Sequence, residues 1–505
     1  MILPVCLDVA AAEARPDSVA FVRDPPAVHR GRDRSRFFPT RQSADRSAAN
    51  TGMTRQPRGG AVRRFRPVWA AVAAAAAAAA LVLGFGIFGR PSGGAGLDQA
   101  GGGQPGTIEP ASARGLRPGT SVPALQARLR SLPGDWTAWA ALGSAYVEQA
   151  RLTSDPTYYP KADGALARSL QIRPGNDLAL TGQAMLANAR HDFGGALPLA
   201  VAALAANPFS STAQGARGDA LTELGRYDDA AAAFQAMVDL KPGLASFARV
   251  SYLSELRGDV AAARTAMQRA LTDATTPADA AFALYNLGEL DRTHGHLDAA
   301  RQEFSAGLAR APSYLPLVAG QARVSAESGD VNGALADYAN LVVRLPQPAY
   351  LIEYGELLES LGRREEARQQ YDLVRAEEQL FASSGVNVDL EMALFEADHG
   401  DPKAALAAAS AELARRDSVF VDDAMCWALH AVGRDREALA HCARAARLGT
   451  PNAAFHFHRA VVQAAVGEQA GATADLRAAL ALNKDFSPLF APRARALLSQ
   501  LEARR

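Results

Sequence analysis

Cysteine is nearly missing from this chain of 505 residues, which holds only Cys6, Cys426 and Cys442. Three cysteines are too few to staple a small secreted fold, and no close Cys-x-x-Cys pair offers zinc-finger spacing. Stability has to come from apolar burial instead. Net charge is missing too, with 53 basic residues against 53 acidic ones. No basic excess follows residue 120, which argues against nucleic acid as a partner, because phosphate binding needs a positive face. The chain also has no Gly-x-Ser-x-Gly, no Walker loop and no His-Glu-x-x-His, and the repeats described below leave no room for a catalytic domain. We therefore expect no enzyme and no cofactor. Lysine is scarce while Ala, Arg and Gly abound, the bias of a GC-rich bacterial genome.

Residues 1–66 are rich in Arg, Pro, Ser and Asp without helical or strand period. Such a stretch buries too little apolar surface to offset its ordering entropy, so disorder is expected. Met53 offers a second start, followed by Arg55, Arg58, Arg63, Arg64 and Arg66. Val68–Phe88 then carries no charge over 21 residues, about 31 Å as a helix, enough to span a bilayer. We read 67–89 as a transmembrane helix or signal anchor. The arginines before it and the lone Arg90 after it place the N-terminus inside and the bulk of the chain outside. Two other readings stay open: secretion after cleavage near Gly93-Gly94-Ala95, and an Ala-rich helix that does not insert, which would leave a cytoplasmic regulator. Residues 90–120, with their Gly and Pro, form a linker.

Beyond residue 120 one phrase recurs eight times: Gly, four variable residues, then Ala. The glycines are Gly225, Gly258, Gly295, Gly329, Gly362, Gly400, Gly433 and Gly467, spaced by 33, 37, 34, 33, 38, 33 and 34 residues. Each suits the left-handed residue that ends a first helix. Each Ala falls in a second helix, and four residues later a larger apolar residue shares its face: Phe234, Met267, Phe304, Tyr338, Tyr371 and Leu476. Pro208, Pro242, Pro312 and Pro346 stand where second helices end.

A helix-turn-helix unit of about 34 residues with this Gly, Ala, aromatic and Pro order resembles the tetratricopeptide repeat. Trp139, Leu142, Gly143, Tyr146, Ala162 and Pro174 fit the family pattern well, although Thr153 to Tyr159 look inserted. The resemblance implies an all-α, right-handed superhelical solenoid of about ten hairpins over 121–485, with 486–505 as a C-terminal cap. One hairpin cannot bury its apolar face alone, so such units stack and need capped ends.

The resemblance also implies that first helices line a concave groove that binds a protein or peptide. Carrying the pattern positions over gives Asp219, Tyr252, Glu255, Tyr285, Glu289, Arg292, Arg323, Glu356, Asp423, Trp427 and His430. This mixture is aromatic and net acidic, suited to a basic or apolar peptide, against the plainer reading of merely solvated charges. Cys426 and Cys442 fall where small residues pack between helices; core packing and a disulfide both remain open. With His430, His441, His456 and His458 they also suggest a metal-handling accessory as a second function. Finally, Phe395 to Pro402 gathers three acids and His399 around a turn. That run could hold a cation, but helix termination explains Gly400 and helix initiation explains Pro402, which is the plainer reading.

Overall fold

The computed structural model describes residues 121–503, and these are all helix and loop. The disordered, membrane-spanning and linker segments expected before residue 121 lie outside the described residues. Among the described residues no helix is long and apolar enough to cross a membrane.

Val122–Ser131 opens the array and Phe490–Ala503 closes it. Between them stand ten helical hairpins. The first five are Trp136–Thr153 with Tyr158–Ile172, Asp177–Ala189 with Phe193–Ala206, Ser211–Glu223 with Tyr227–Leu240, Leu244–Leu256 with Val260–Thr272, and Pro277–Thr293 with Leu297–Arg310. The second five are Leu315–Glu327 with Val331–Arg344, Pro348–Ser360 with Arg364–Ser383, Asp389–His399 with Pro402–Leu413, Val419–Ala431 with Asp435–Ala445, and Ala453–Val466 with Gln469–Leu482. Short polar side chains start many of these helices: Asn176, Ser210, Asp259, Asp330 and Ser418 each accept a hydrogen bond from a first-turn backbone N–H.

Within a hairpin the small and large positions interlock. Ala230, Ala263, Ala300, Ala334, Ala405, Ala438 and Ala472 are fully buried between the paired helices. Phe234 packs onto Gly218, where an added Cβ would lie 2.2 Å from the ring, and Phe304 packs onto Gly288 and Gly320 in the same way. A small residue on the first helix therefore makes the hole that an aromatic on the second helix fills.

Seven of the eight turn glycines take the left-handed conformation, with φ between +74° and +90°. Gly400 does not. Its φ is −141°, because the Glu396 side chain folds back to accept a hydrogen bond from the Asp401 amide at 2.8 Å and holds the chain extended there. The second hairpin turns without glycine: His191 takes φ +59°, and its imidazole Nδ1 sits 2.8 Å from the Asn387 carbonyl.

That last contact belongs to a series. The turn of each early hairpin touches a loop between later ones, always about 190 residues further on. Ser154 pairs with Gln347, 193 residues away. The Asn387 amide donates to the Arg190 carbonyl at 2.9 Å. The Val419 amide donates to the Tyr227 hydroxyl at 2.9 Å, a separation of 192. Thr450 Oγ1 donates to the Leu256 carbonyl at 2.6 Å, a separation of 194. Asn483 Nδ2 donates to the Arg292 carbonyl at 3.0 Å, a separation of 191. A constant separation means that one turn of the superhelix uses roughly five and two-thirds repeats of 34 residues, after which the array stacks on itself. Arg416, reaching Glu223, Glu412 and the face of Phe193, cements the contact as a buried ion pair.

Candidate functional site

Because successive turns stack, the first helices line the interior of the array. Two cavities lie within it, of about 410 and about 580 Å³.

The smaller cavity brings together Asp219, Tyr252, Glu255, Tyr285, Glu289 and Arg323 from the proposed groove set, with Tyr314 and Tyr350 beside them. Most of its charges are already matched. Arg249 Nε and Nη2 donate to the two Asp219 carboxylate oxygens, both at 2.8 Å. Arg323 spans three hairpins: Nη1 donates to Glu289 Oε1 at 3.0 Å, and Nη2 donates to Glu353 Oε1 at 2.9 Å. Burial alone would raise the Glu289 carboxyl, but the Arg292 and Arg323 guanidiniums beside it hold it below its usual value. The plainer expectation of solvated charges therefore fails here, since Asp219, Glu289, Arg292 and Arg323 are all buried, Asp219 paired with Arg249 and the other three with one another.

Two wall groups are different. The Tyr252 hydroxyl is buried without a hydrogen-bond partner. One helical turn on, no Arg or Lys among the described residues pairs with Glu255, and burial followed by the Glu289 charge pushes its carboxyl up to about 7. A carboxylate and a hydroxyl thus face the cavity unmatched, among tyrosine rings.

The larger cavity is lined by Glu356 and Asp423 of the proposed set. Along its wall carboxylates outnumber guanidiniums by eight to two. Glu378, buried and close to Glu391, is pushed up to about 8.

Three proposed groove residues line neither cavity. Arg292 is buried in an ion pair with Glu289 and Glu327, beneath the loop at Asn483. Trp427 stacks on His458 with ring centroids 4.2 Å apart, and its indole N–H donates to Asp398 at 2.7 Å. His430 faces Asp435 at 2.5 Å.

The proposed His/Cys metal group does not form. Cys426 and Cys442 are joined by a disulfide that ties the two helices of the ninth hairpin, so neither offers a thiolate. His441 faces Asp422, His456 faces Asp475 and His458 faces Asp423, each on a different carboxylate. Among the described residues the side chains that bring three potential ligand atoms together are instead Glu356, Asp398 and His399. Asp398 and His399 share one run in the sequence, whereas Glu356 lies 43 residues before His399.

The disulfide makes a prediction. It closes a loop with a sequence separation of 16, and loops of that size contribute about 3 kcal/mol. Reduction, or Cys442→Ala, is expected to lower the urea midpoint accordingly. An unchanged midpoint under dithiothreitol contradicts it.

Residues 181–245, the second and third hairpins, match the family model described as "Tetratricopeptide repeat". No curated protein matches the chain. Among solved structures, a tetratricopeptide repeat protein from Parabacteroides merdae is 20% identical with a TM-score of 0.31, the match covering 51% of this chain and 98% of that one. PilW, described as a widely conserved type IV pilus biogenesis factor, is 21% identical with a TM-score of 0.34, covering 40% and 92%. Human IFIT1, solved as a dimer with PPP-AAAA, is 17% identical with a TM-score of 0.39, covering 58% and 69%. Residues 181–245 thus carry the tetratricopeptide repeat, and the same helical-hairpin geometry recurs on both sides of that segment among the described residues.

Proposed function

We propose that the chain is a non-catalytic scaffold that takes a basic segment of a protein partner into its interior. One observation carries this reading: Glu255 and the Tyr252 hydroxyl face the smaller cavity unmatched, with Tyr285, Tyr314 and Tyr350 around them. A Lys or Arg side chain supplies what is missing. Its cation pairs with the carboxylate, its N–H donates to the hydroxyl, and its stem lies along the rings, an arrangement that favours cations when desolvated.

The scaffold is further proposed to be tethered through 67–89 and displayed outside the membrane, as an accessory to an envelope complex. The Cys426–Cys442 bond supports that placement, since disulfides persist in oxidising compartments. Digestion of the repeats by protease added to intact cells is the expected result, and their protection under those conditions contradicts the placement.

Binding is tested with labelled basic, neutral and acidic peptides. The basic peptide is expected to bind, and Glu255→Gln is expected to weaken it tenfold or more. The effect has a definite pH sign. Glu255 becomes charged as pH rises through about 7, so affinity rises across that interval in the wild type and stays flat in Glu255→Gln. Equal affinity for basic and acidic peptides contradicts the reading.

A further inference from the structure

The larger cavity contains a cluster that peptide binding does not use. Glu356 on the seventh hairpin and Asp398 and His399 at the end of Asp389–His399 point their ligand atoms toward one place, all within 4.8 Å of one another. We propose that these three side chains form a binding site for a divalent transition-metal cation of the zinc class, its fourth position open to the cavity.

The distances carry the first part of the case. Two ligands of a tetrahedral zinc ion, each at about 2.1 Å, stand about 3.4 Å from one another. His399 Nε2 and Glu356 Oε1 are 3.3 Å apart, already at that edge. Asp398 lies within 4.8 Å of both, so it completes the triangle by closing at most about 1.4 Å to the tetrahedral edge.

Orientation carries the second part. A ligating imidazole usually turns its other nitrogen to a carboxylate, which fixes the tautomer and strengthens the donor. Here His399 Nδ1 faces Glu359 Oε2 at 3.7 Å, and the Tyr371 hydroxyl donates to that same oxygen at 2.9 Å, holding Glu359 in place. Tyr371 also stacks on the imidazole with centroids 4.3 Å apart, so the ring cannot swing away. Asp398 is oriented likewise: Oδ1 accepts the Trp427 indole N–H at 2.7 Å, leaving Oδ2 for a ligand.

Charge carries the third. Glu356, Glu359 and Asp398 surround one imidazole, and among the described residues no Arg or Lys forms an ion pair with any of the three. A divalent ion supplies the missing positive charge and displaces the proton from His399 Nε2 to solvent. The neighbouring acids do not compete for it. Glu396 is held by Arg375, and Asp423 by His458. Three protein ligands including a nitrogen also fall short of the six to eight oxygens that calcium requires, so the site selects against that ion.

The test is calorimetry of the chelator-stripped full chain titrated with Zn²⁺ alone, repeated with Ca²⁺. One saturable Zn²⁺ site is expected, with no Ca²⁺ binding there. His399→Gln and Asp398→Asn are each expected to abolish it, and Glu359→Gln to weaken it 10- to 100-fold. His441→Ala, which removes a histidine from outside the cluster, should leave it intact. Should His399→Gln unsettle the fold in a thermal melt, Co²⁺ replaces the variant as the readout. Its visible spectrum is that of a tetrahedral site with oxygen and nitrogen ligands in the wild type and is lost in Asp398→Asn. No saturable Zn²⁺ binding overturns the proposal, as does binding that survives both Asp398→Asn and His399→Gln or that disappears in His441→Ala. Peptide affinity is independent of these results, because Glu255 and Tyr252 line the other cavity.

Discussion

Replacing Arg323 by alanine is expected to cost about 3–5 kcal/mol, the usual penalty for breaking one side of a buried ion pair. Arg323 is only 7% exposed and bridges Glu289 on Pro277–Thr293 to Glu353 on Pro348–Ser360. Its removal leaves Glu289 with one of its two guanidiniums and Glu353 with none. Most of the cost is that uncovered negative charge and not the loss of an attraction. Replacing Arg323, Glu289 and Glu353 together by apolar residues of similar volume is therefore expected to recover most of it. The pH dependence follows from the Glu289 carboxyl, which its two guanidiniums hold below its usual value against burial. A depressed carboxyl contributes stability above its unfolded value and loses it as pH falls through the folded one. The difference between wild type and Arg323→Ala should thus be largest at neutral pH and shrink in acid. Urea denaturation at the two pH values checks this, and a difference that grows in acid contradicts it.

Gly225→Ala is expected to damage the array much more than Gly433→Ala. Both glycines have φ +76°, so both substitutions carry the left-handed strain of about 1–2 kcal/mol. They differ in what surrounds them. A Cβ on Gly433 meets nothing within 4 Å, whereas one on Gly225 would lie 2.0 Å from the Asp417 carbonyl oxygen. That overlap involves backbone on both sides and is relieved only if the superhelical turns separate. Separation exposes Tyr227 and Val419, which pack together across the contact, and unpairs the buried Arg416–Glu223 bridge. Gly258, whose Cβ would meet the Gly449 carbonyl oxygen at 2.7 Å, should behave like Gly225. Hydrogen exchange is the direct readout: Gly225→Ala should lose protection at 223–227 and 416–421 together, and Gly433→Ala at neither. Equal behaviour of the two variants contradicts this.

The hairpins could be read in the sequence because their causes are local. A Gly that ends one helix, an Ala four variable residues on and an aromatic one turn later act within a single hairpin, and Phe234 on Gly218 or Phe304 on Gly288 shows the pattern in packing. Gly400 broke its own rule for an equally local reason, the Glu396 side chain, which the repeat pattern does not encode. Stacking of one superhelical turn on the next was not legible. It depends on the small rotation each repeat adds, and its contacts join residues about 190 positions apart with no common motif: a glycine carbonyl neighbour here, Thr450 or Asn483 there. The same gap explains the site. Pattern positions picked out Tyr252, Glu255 and Glu289 as inward-facing, but pairing on paper does not reveal that Arg323 matches Glu289 while Glu255 is left over. His399 was visible beside Asp398, and Glu356 was visible as a groove residue. That they meet required the seventh and eighth hairpins to be placed side by side.

This array stacks on itself after one turn around an acidic interior. That stacking is tested most directly by the distance between spin labels at Arg226→Cys and Asp417→Cys, with Cys6 replaced by serine. Both parent side chains are more than half exposed, and labels there leave the buried contact untouched. Pulsed electron paramagnetic resonance is expected to give one short, narrow distance, lengthened by Gly225→Ala. A long, broad distribution in the parent protein, as for labels separated by several repeats of an open solenoid, would contradict the account.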